Sequence, residues 1–339
     1  MPDVPPGWTA RTPTLEDIGP LSDLVAAHQE SVKGSSSVDP EAVASAATGT
    51  ASWTRRQVLV EDASGTLVAW ASVHDRAAGR SVVEVTVAPA ADEAGRLARA
   101  LFAWAEATAL DVARLRDLHG TQLDASAYAA DERQRAWLTE AGYRHARTWL
   151  QMSRPVPPEE AEPGALPAPR EGVTVRRVAK HDDGLPVAQD LQTVHQMLEE
   201  SFADHFNSYR ESFPEFVQRL REDPGHSWDH WWIAEIDVDG EQVPGGALVS
   251  SVLRPDSGGV EGSYIDYIGV HRRARGRGVA KALLHTVIAD TARRGRNRLG
   301  LEVDADSPTG ADGLYRSMGW ETSYETESWH RDVTVGADA

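Results

Sequence analysis

IDYIGVHRRARGRGVA, residues 265–280, decides how this chain is read. A short run of β-branched and aromatic residues leads into a knot of arginines and glycines, and a helix-forming sequence follows. Arg273-x-x-Gly276-x-Gly278 is a compact anion-binding pattern. Without Cβ atoms, Gly276 and Gly278 let the backbone turn tightly so that several N–H groups converge on one anion. The helix that follows offers its unpaired first amides and the positive end of its dipole, and the arginines add cationic forks. A pyrophosphate is the ligand this pattern suits.

Outward from that loop, the C-terminal half alternates strands and helices. Strands are predicted at 173–178, 230–237, 246–254, 264–270 and 298–306, with Asp239-Gly240 as a turn signal. Helices are predicted at 188–203, at 213–222 behind Ser212 and Pro214, at 279–294 and at 310–318. Val279, Leu283, Leu284, Val287, Ile288 and Thr291 share one face of the third of these helices. The last segment, WETSYETESWHRDV, reads as a terminal antiparallel hairpin. The N-terminal half repeats the order and closes on a strand pair, YRHARTWLQMSR. Between the halves, residues 155–172 hold six prolines and two glycines without hydrophobic periodicity, the composition of a semi-rigid extended linker. Two stretches align without gaps, EVTVAPAADEAGRLARAL (84–101) on YIGVHRRARGRGVAKALL (267–284), and LTEAGY echoes YRSMGW. The chain is a duplication: an α/β fold of α+β sandwich type in two tandem domains, 1–154 and 173–335. Each is a mixed, mostly antiparallel twisted sheet flanked by helices.

Composition sets bounds on function. The 339 residues suit two domains, with the apolar and charged fractions of a soluble globular protein. No apolar run reaches the roughly 20 residues that span a bilayer, and no secretory leader is visible, so a cytoplasmic location is expected. The absence of cysteine rules out disulfides, thiolate metal sites and a cysteine nucleophile. A net charge of −18 argues against nucleic acid as a partner and favours a cationic small molecule. Positive charge gathers locally, at Arg272, Arg273, Arg275, Arg277 and Lys281. His226 and His230 have a ligand-pair spacing only if helical, and GHSWDH does not read as a helix, so no metal is expected.

The strand before Arg273-x-x-Gly276-x-Gly278, the strand LEVDAD, and Ala311-x-x-Leu314-Tyr315-x-x-x-Gly319-Trp320 occur in the order found in the GNAT superfamily of acetyl-CoA-dependent N-acetyltransferases. The C-terminal half resembles that family, and the tandem arrangement is similar to mycothiol synthase and related two-domain proteins. The resemblance implies acetyl-CoA as co-substrate. Arg273, Arg275, Gly276, Arg277 and Gly278, with Val279 and Ala280 at the helix start, would hold its pyrophosphate. Ile268, Gly269 and Val270 would run beside the pantetheine arm as an added strand. Tyr315 would be the general acid that protonates the leaving thiolate. Where the family often carries a glutamate early on the strand, this chain has Tyr264, so Asp266 is the first candidate base and Glu302 the second. Pro308 replaces a family asparagine, and no contact carries over there.

Tyr264, with Asp204 and His205 of SFADHFNSY (201–209), are the candidate acceptor contacts. The N-terminal copy has Asp92 and Glu93 where a pyrophosphate would sit, and Leu138 at the Tyr315 position, so it is expected to bind no acetyl-CoA. These features point to an N-acetyltransferase acting on a primary amine of a small molecule, as a monomer or homodimer. A non-catalytic acyl-CoA-binding module is the alternative.

Overall fold

The computed structural model describes residues 1–76, 79–203, 211–255, 258–307 and 310–336. The first half carries β1 (Thr9–Arg11), α1 (Ile18–Lys33), α2 (Pro40–Ala47), β2 (Arg55–Glu61), β3 (Leu67–Arg76), β4 (Arg80–Val87), α3 (Ala94–Leu115), β5 (Gly120–Tyr128), α4 (Glu132–Glu140) and β6 (Arg144–Pro155). The second half carries β7 (Val173–Arg177), α5 (Ala188–Phe202), α6 (Phe213–Arg221), β8 (His226–Val238), β9 (Glu241–Leu253), β10 (Gly262–Val270), α7 (Val279–Arg293), β11 (Arg298–Asp304), α8 (Ala311–Ser317) and β12 (Glu321–Thr334).

Local chemistry sets many of these ends. Ser212 and Glu215 form a reciprocal capping box at the start of α6, with Pro214 in its first turn. Asp239 and Gly240 hold φ of 55° and 86°, the two left-handed residues a tight hairpin needs between β8 and β9. Two expectations fail. Residues 144–155 and 321–334 each form one long strand rather than a strand pair or a hairpin. Neither stretch contains a glycine, an asparagine or an internal proline, the strongest of the turn-forming residues.

The chain divides into two compact units, one of Met1–Leu150, Asp304–Gly310 and Tyr324–Ala339, the other of Gln151–Val303 and Ala311–Ser323. In the first unit the strands lie in the order β1-β2-β3-β4-β5-β12, and only β4 with β5 is parallel. Here β12 pairs antiparallel with β5 from Thr326–Tyr128 to Thr334–Gly120. Its Trp329 and Val333 join Leu97, Leu101 and Ala105 of α3 in the core. The last strand thus completes the first unit, not the C-terminal one to which its place in the sequence points. In the second unit the order is β7-β8-β9-β10-β11, and only β10 with β11 is parallel. Val194, Met197 and Leu198 of α5 and Phe216 and Leu220 of α6 pack on the face that shows Trp231, Ala247, Val249 and Tyr267. The opposite face, where Gly246 meets Val279 and Leu283, belongs to α7.

Residues 155–172 are more than a spacer. The Val156 N–H donates to the Asn297 carbonyl, Arg154 pairs with Glu160 at 2.7 Å, and His285 on α7 hydrogen-bonds the Pro167 carbonyl. The segment is a strap fastened along α7. Its prolines give it stiffness, while its side chains and carbonyls supply the fastening, which composition cannot reveal.

Because β12 covers β5, a fragment ending at residue 154 leaves a long strand edge and part of its core uncovered. Such a fragment should be poorly soluble and melt without a cooperative transition by circular dichroism, and co-expressed residues 311–339 should restore it. A cooperative transition for 1–154 alone would refute this account.

Candidate active site

The site begins where two strands stop pairing. β10 and β11 pair through Ser263–Leu299, Tyr264–Gly300 and Ile265–Leu301, and the ladder ends there although β10 runs on to Val270 and β11 to Asp304. On its other side β10 stays paired with β9 as far as Val270–Gly246, with one interruption. Ile265 faces Ser250 and Tyr267 faces Val249, so Asp266 is an extra residue, a β-bulge. The β11-facing edge of Asp266–Val270, including Ile268, Gly269 and Val270, therefore has no ladder partner among the described residues. An extended chain with amide groups can pair with such an edge. Gly269 is a packing glycine, for a Cβ there would lie 2.9 Å from the Ser201 Cβ of α5.

At the end of this edge lies the glycine–arginine turn. Gly276 and Gly278 both hold left-handed φ, 78° and 85°. The amides of Gly276, Gly278, Val279, Ala280 and Lys281 have no hydrogen-bond partner among the described residues. The arginines divide the work. Arg273 donates through Nε and Nη2 to the Pro244 carbonyl at 3.2 and 2.8 Å, and Arg277 donates to the Asp237 carbonyl at 2.8 Å. Both brace the turn against the β8–β9 hairpin, while Arg272 and Arg275 are exposed. His271, buried at the start of the turn, accepts from the Arg273 N–H through Nδ1 and reaches Glu200 of α5 at 3.0 Å through Nε2. That arrangement places its proton on Nε2. Val279 is buried beneath the turn and Ala280 is half-buried.

Tyr315, on α8, is 7% exposed and meets Trp320 edge to face at 5.8 Å. Its hydroxyl has no hydrogen-bond partner among the described residues, and burial pushes it up to about 12. It stays protonated at any physiological pH, as a proton donor must. Asp266 differs. Burial, followed by the nearby Asp223 carboxylate, pushes it up to about 7 against the opposing pull of the Ser251 hydroxyl and Arg219. Ser251 Oγ donates to Asp266 Oδ1 at 3.2 Å. Glu302 is raised by its crowded surroundings although solvent still reaches it, and Gln151 donates to it at 2.7 Å. The Tyr264 hydroxyl donates to the other end of the same carboxamide at 3.4 Å, and its ring lies on Gly300. Tyr264, Gln151 and Glu302 thus form a chain distinct from the Ser251–Asp266 pair. Asp204, His205 and Pro308 lie outside the described residues.

Several neighbours carry no local sequence signal. Arg219 forks onto Glu211 at 2.9 and 2.6 Å and donates to the Tyr267 hydroxyl at 2.7 Å, building the polar wall beside Asp266. Ser251 and Gln151 come from other strands. Only the pattern of strand pairing brings these residues together.

The first unit keeps the outline of this site and fills it. Its parallel ladder also stops early, after Val83–Ala125, while β4 runs on to Val87. Glu93, at the Gly276 position, keeps a left-handed φ of 53° and pairs with Arg96. On α4, Gln134 is buried and its Nε2 donates to the Val85 carbonyl at 3.2 Å, while Arg133 donates to the Pro89 carbonyl at 2.9 Å. By the LTEAGY–YRSMGW alignment Gln134 corresponds to Ala311 of the second unit, whose small side chain leaves the matching edge uncovered. Leu138, at the Tyr315 position, is fully buried.

The site is thus a strand edge left open to an extended chain and ending on a cradle of free amides. Residues 192–320 match the acetyltransferase (GNAT) family, and the solved structures similar to this chain include a tandem GNAT protein. A GCN5-related N-acetyltransferase from Sphaerobacter thermophilus is similar over 99% of each chain, at 26% identity and a TM-score of 0.76. A tandem GNAT protein from the clavulanic acid biosynthesis pathway shares the fold over 98% of this chain and 99% of its own, at 14% identity and a TM-score of 0.67. Saccharomyces cerevisiae N-myristoyltransferase shares it over 97% of this chain and 79% of its own, at 11% identity and a TM-score of 0.57. No curated protein matches the sequence.

Asp266 offers a test of this geometry through stability. Its folded value of about 7 lies above the ordinary 3.8, so its contribution is fully present below pH 3.8 and is lost as pH rises through 7. Asp266→Asn should melt at a higher temperature than the parent at pH 8, by roughly 1–3 kcal/mol in stability, with the gap closing towards pH 4. A variant less stable than the parent at pH 8 would show that the carboxylate is not crowded in this way.

Proposed function

We propose that this protein moves an acetyl group from acetyl-CoA to a primary amine of a small molecule, by direct attack in a ternary complex within the C-terminal half. The observation that carries this reading is the open edge of β10 ending at the glycine–arginine turn. A pantetheine arm has amides to pair with Asp266–Val270, and a pyrophosphate has the charge that the free amides and exposed arginines of the turn accept. The N–H groups along that edge are also suited to polarising a thioester carbonyl.

Asp266 is the base. A carboxyl near 7 is half ionised at neutral pH and can take the proton of an incoming ammonium, leaving a free lone pair. The amine nitrogen attacks the thioester carbon, the carbon–sulfur bond breaks, and the electron pair leaves on sulfur. Tyr315 donates its phenolic proton to that thiolate, and the proton shed by the acylated nitrogen returns to the phenolate. Glu302, held by Gln151, is the alternative base. The acceptor is a cation, because a net charge of −18 draws one in and a base must remove its proton. The N-terminal half has no donor site, since Gln134 occupies the edge and Glu93 the turn.

Acetyl-CoA with a panel of small amines should release free thiol, and Tyr315→Phe should lower kcat by roughly 10²–10³-fold with little change in KM for acetyl-CoA. Full activity in that variant removes Tyr315 from the mechanism. Tight CoA binding without release by any amine would instead favour the binding-module alternative. In the active enzyme kcat/KM should rise with pH through about 7, the window in which Asp266 ionises, and Asp266→Asn should abolish that limb. A limb unchanged in Asp266→Asn but absent in Glu302→Gln would transfer the role to Glu302. Calorimetric titration should give one CoA per chain, and two would overturn the silent reading of the N-terminal copy.

A further inference from the structure

The strap along α7 ends at Arg170, and Arg170 lies on the anion turn. Its Nη1 donates to the Gly276 carbonyl at 3.0 Å. Its side chain crosses the space that a Cβ on Gly278 would take, with Cδ 2.9 Å, Nε 3.2 Å and Cγ 3.3 Å from that position. Gly278 therefore lacks a side chain for two reasons, its left-handed φ of 85° and the arginine stem above it. The Arg170 carbonyl accepts from Val173 at 3.0 Å, which fixes the backbone that presents this side chain. The guanidinium has no other hydrogen bond or ion pair among the described residues, so its remaining N–H donors stay uncommitted. It is also exposed, hence open to a ligand.

The charge inventory of the turn gives this placement its meaning. Arg273 and Arg277 direct donors to main-chain carbonyls and hold the turn in shape. Arg272, Arg275 and Lys281 carry no such tie among the described residues, and Arg170, tied only to the Gly276 carbonyl, comes from outside the turn and lies across both glycines. We propose that Arg170, delivered by the proline-rich strap, is a donor-binding residue that supplies positive charge to the phosphate groups of acyl-CoA. This rests on the proposed acetyl-CoA reading. The strap is thereby part of the donor site, and its fastening, Val156 to Asn297, Glu160 to Arg154 and Pro167 to His285 of α7, positions a ligand contact.

The test separates charge from bracing, and both from the parent reading. Arg170→Gln keeps a donor for the Gly276 carbonyl and removes the charge, Arg170→Lys keeps the charge, and Arg170→Ala removes both. With acetyl-CoA, Arg170→Ala and Arg170→Gln should each raise KM about tenfold at unchanged kcat, the size of one charge-assisted contact. Arg170→Lys should recover most of the loss. The dependence of KM on salt should flatten in the two uncharged variants. With acetyl-pantetheine, which has no phosphate, all four proteins should behave alike. Parent-like KM in Arg170→Gln, or an equal loss with acetyl-pantetheine, would reduce Arg170 to a structural brace and overturn the proposal. A parent enzyme that turns over neither donor would instead sink the acetyl-CoA reading itself.

Discussion

Everything at the site follows from two parallel strands that pair for three residues and then part. Beyond Ile265 the course of β10 is set by β9, because the ladder on that side continues to Gly246 while the ladder with β11 ends. The Asp266 bulge bends the strand at the point of parting. Helices fix the bent strand and the neighbour that guides it: α5 presses on Gly269 of β10, and α7 sets Val279 and Leu283 against Gly246 of β9. An opening of this kind costs free energy, since a buried strand edge holds peptide groups that a continuous sheet would have satisfied. The first unit shows how a protein removes that cost when the edge has no ligand to receive. Gln134 turns its carboxamide to the Val85 carbonyl and seals the edge with a side-chain amide. A pantetheine arm presents the same functional group, so on the proposed reading the duplicate solves internally what the second unit leaves to a substrate.

The two turns diverge in the same sense. Each retains one left-handed residue at the matching position, Glu93 in one and Gly276 in the other. Glutamate pays a conformational penalty there that glycine avoids, and its carboxylate would repel a pyrophosphate. In the second unit two of four arginines tie the turn to main-chain carbonyls, which makes the cradle rigid before any ligand arrives. Preorganised donors in a largely acidic protein concentrate favourable potential at one place. Arginine count in the sequence overstates the charge available to a ligand, and hydrogen-bond partners reveal which of the cations are free to meet one.

Much of the fold was legible in the sequence because its signals are local. The Ser212–Glu215 box, the Asp239-Gly240 turn, the apolar face of α7 and the duplicated strand–turn–helix each lie within a few residues. What escaped was non-local. β12 looks like the end of a C-terminal domain, and only its ladder with β5 reveals that it completes the first unit. The strap reads as a linker because prolines dominate its composition, while its function depends on partners some 100 residues away, such as Gly276 for Arg170. Tyr315 was visible at a motif position, and Asp266 as a carboxylate two residues beyond one held by Tyr264. Their chemistry was not, because it depends on burial and, for Asp266, on Asp223 and Arg219 at the end of α6 and Ser251 on β9.

On the proposed mechanism, one physical effect tunes two opposite proton transfers. Burial raises both Asp266 and Tyr315, because desolvation disfavours the charged form of any acid. The starting values differ by about six units, so the same push gives different results. The carboxyl arrives near 7, where it exchanges protons freely with an amine acceptor. The phenol arrives near 12 and so still holds its proton when the thiolate leaves. Exposing the site to solvent would return Asp266 to the ordinary carboxylate range and leave it too weak a base for an ammonium. The crowding by α5, α6 and the bulge is therefore a requirement of the chemistry as well as of the fold.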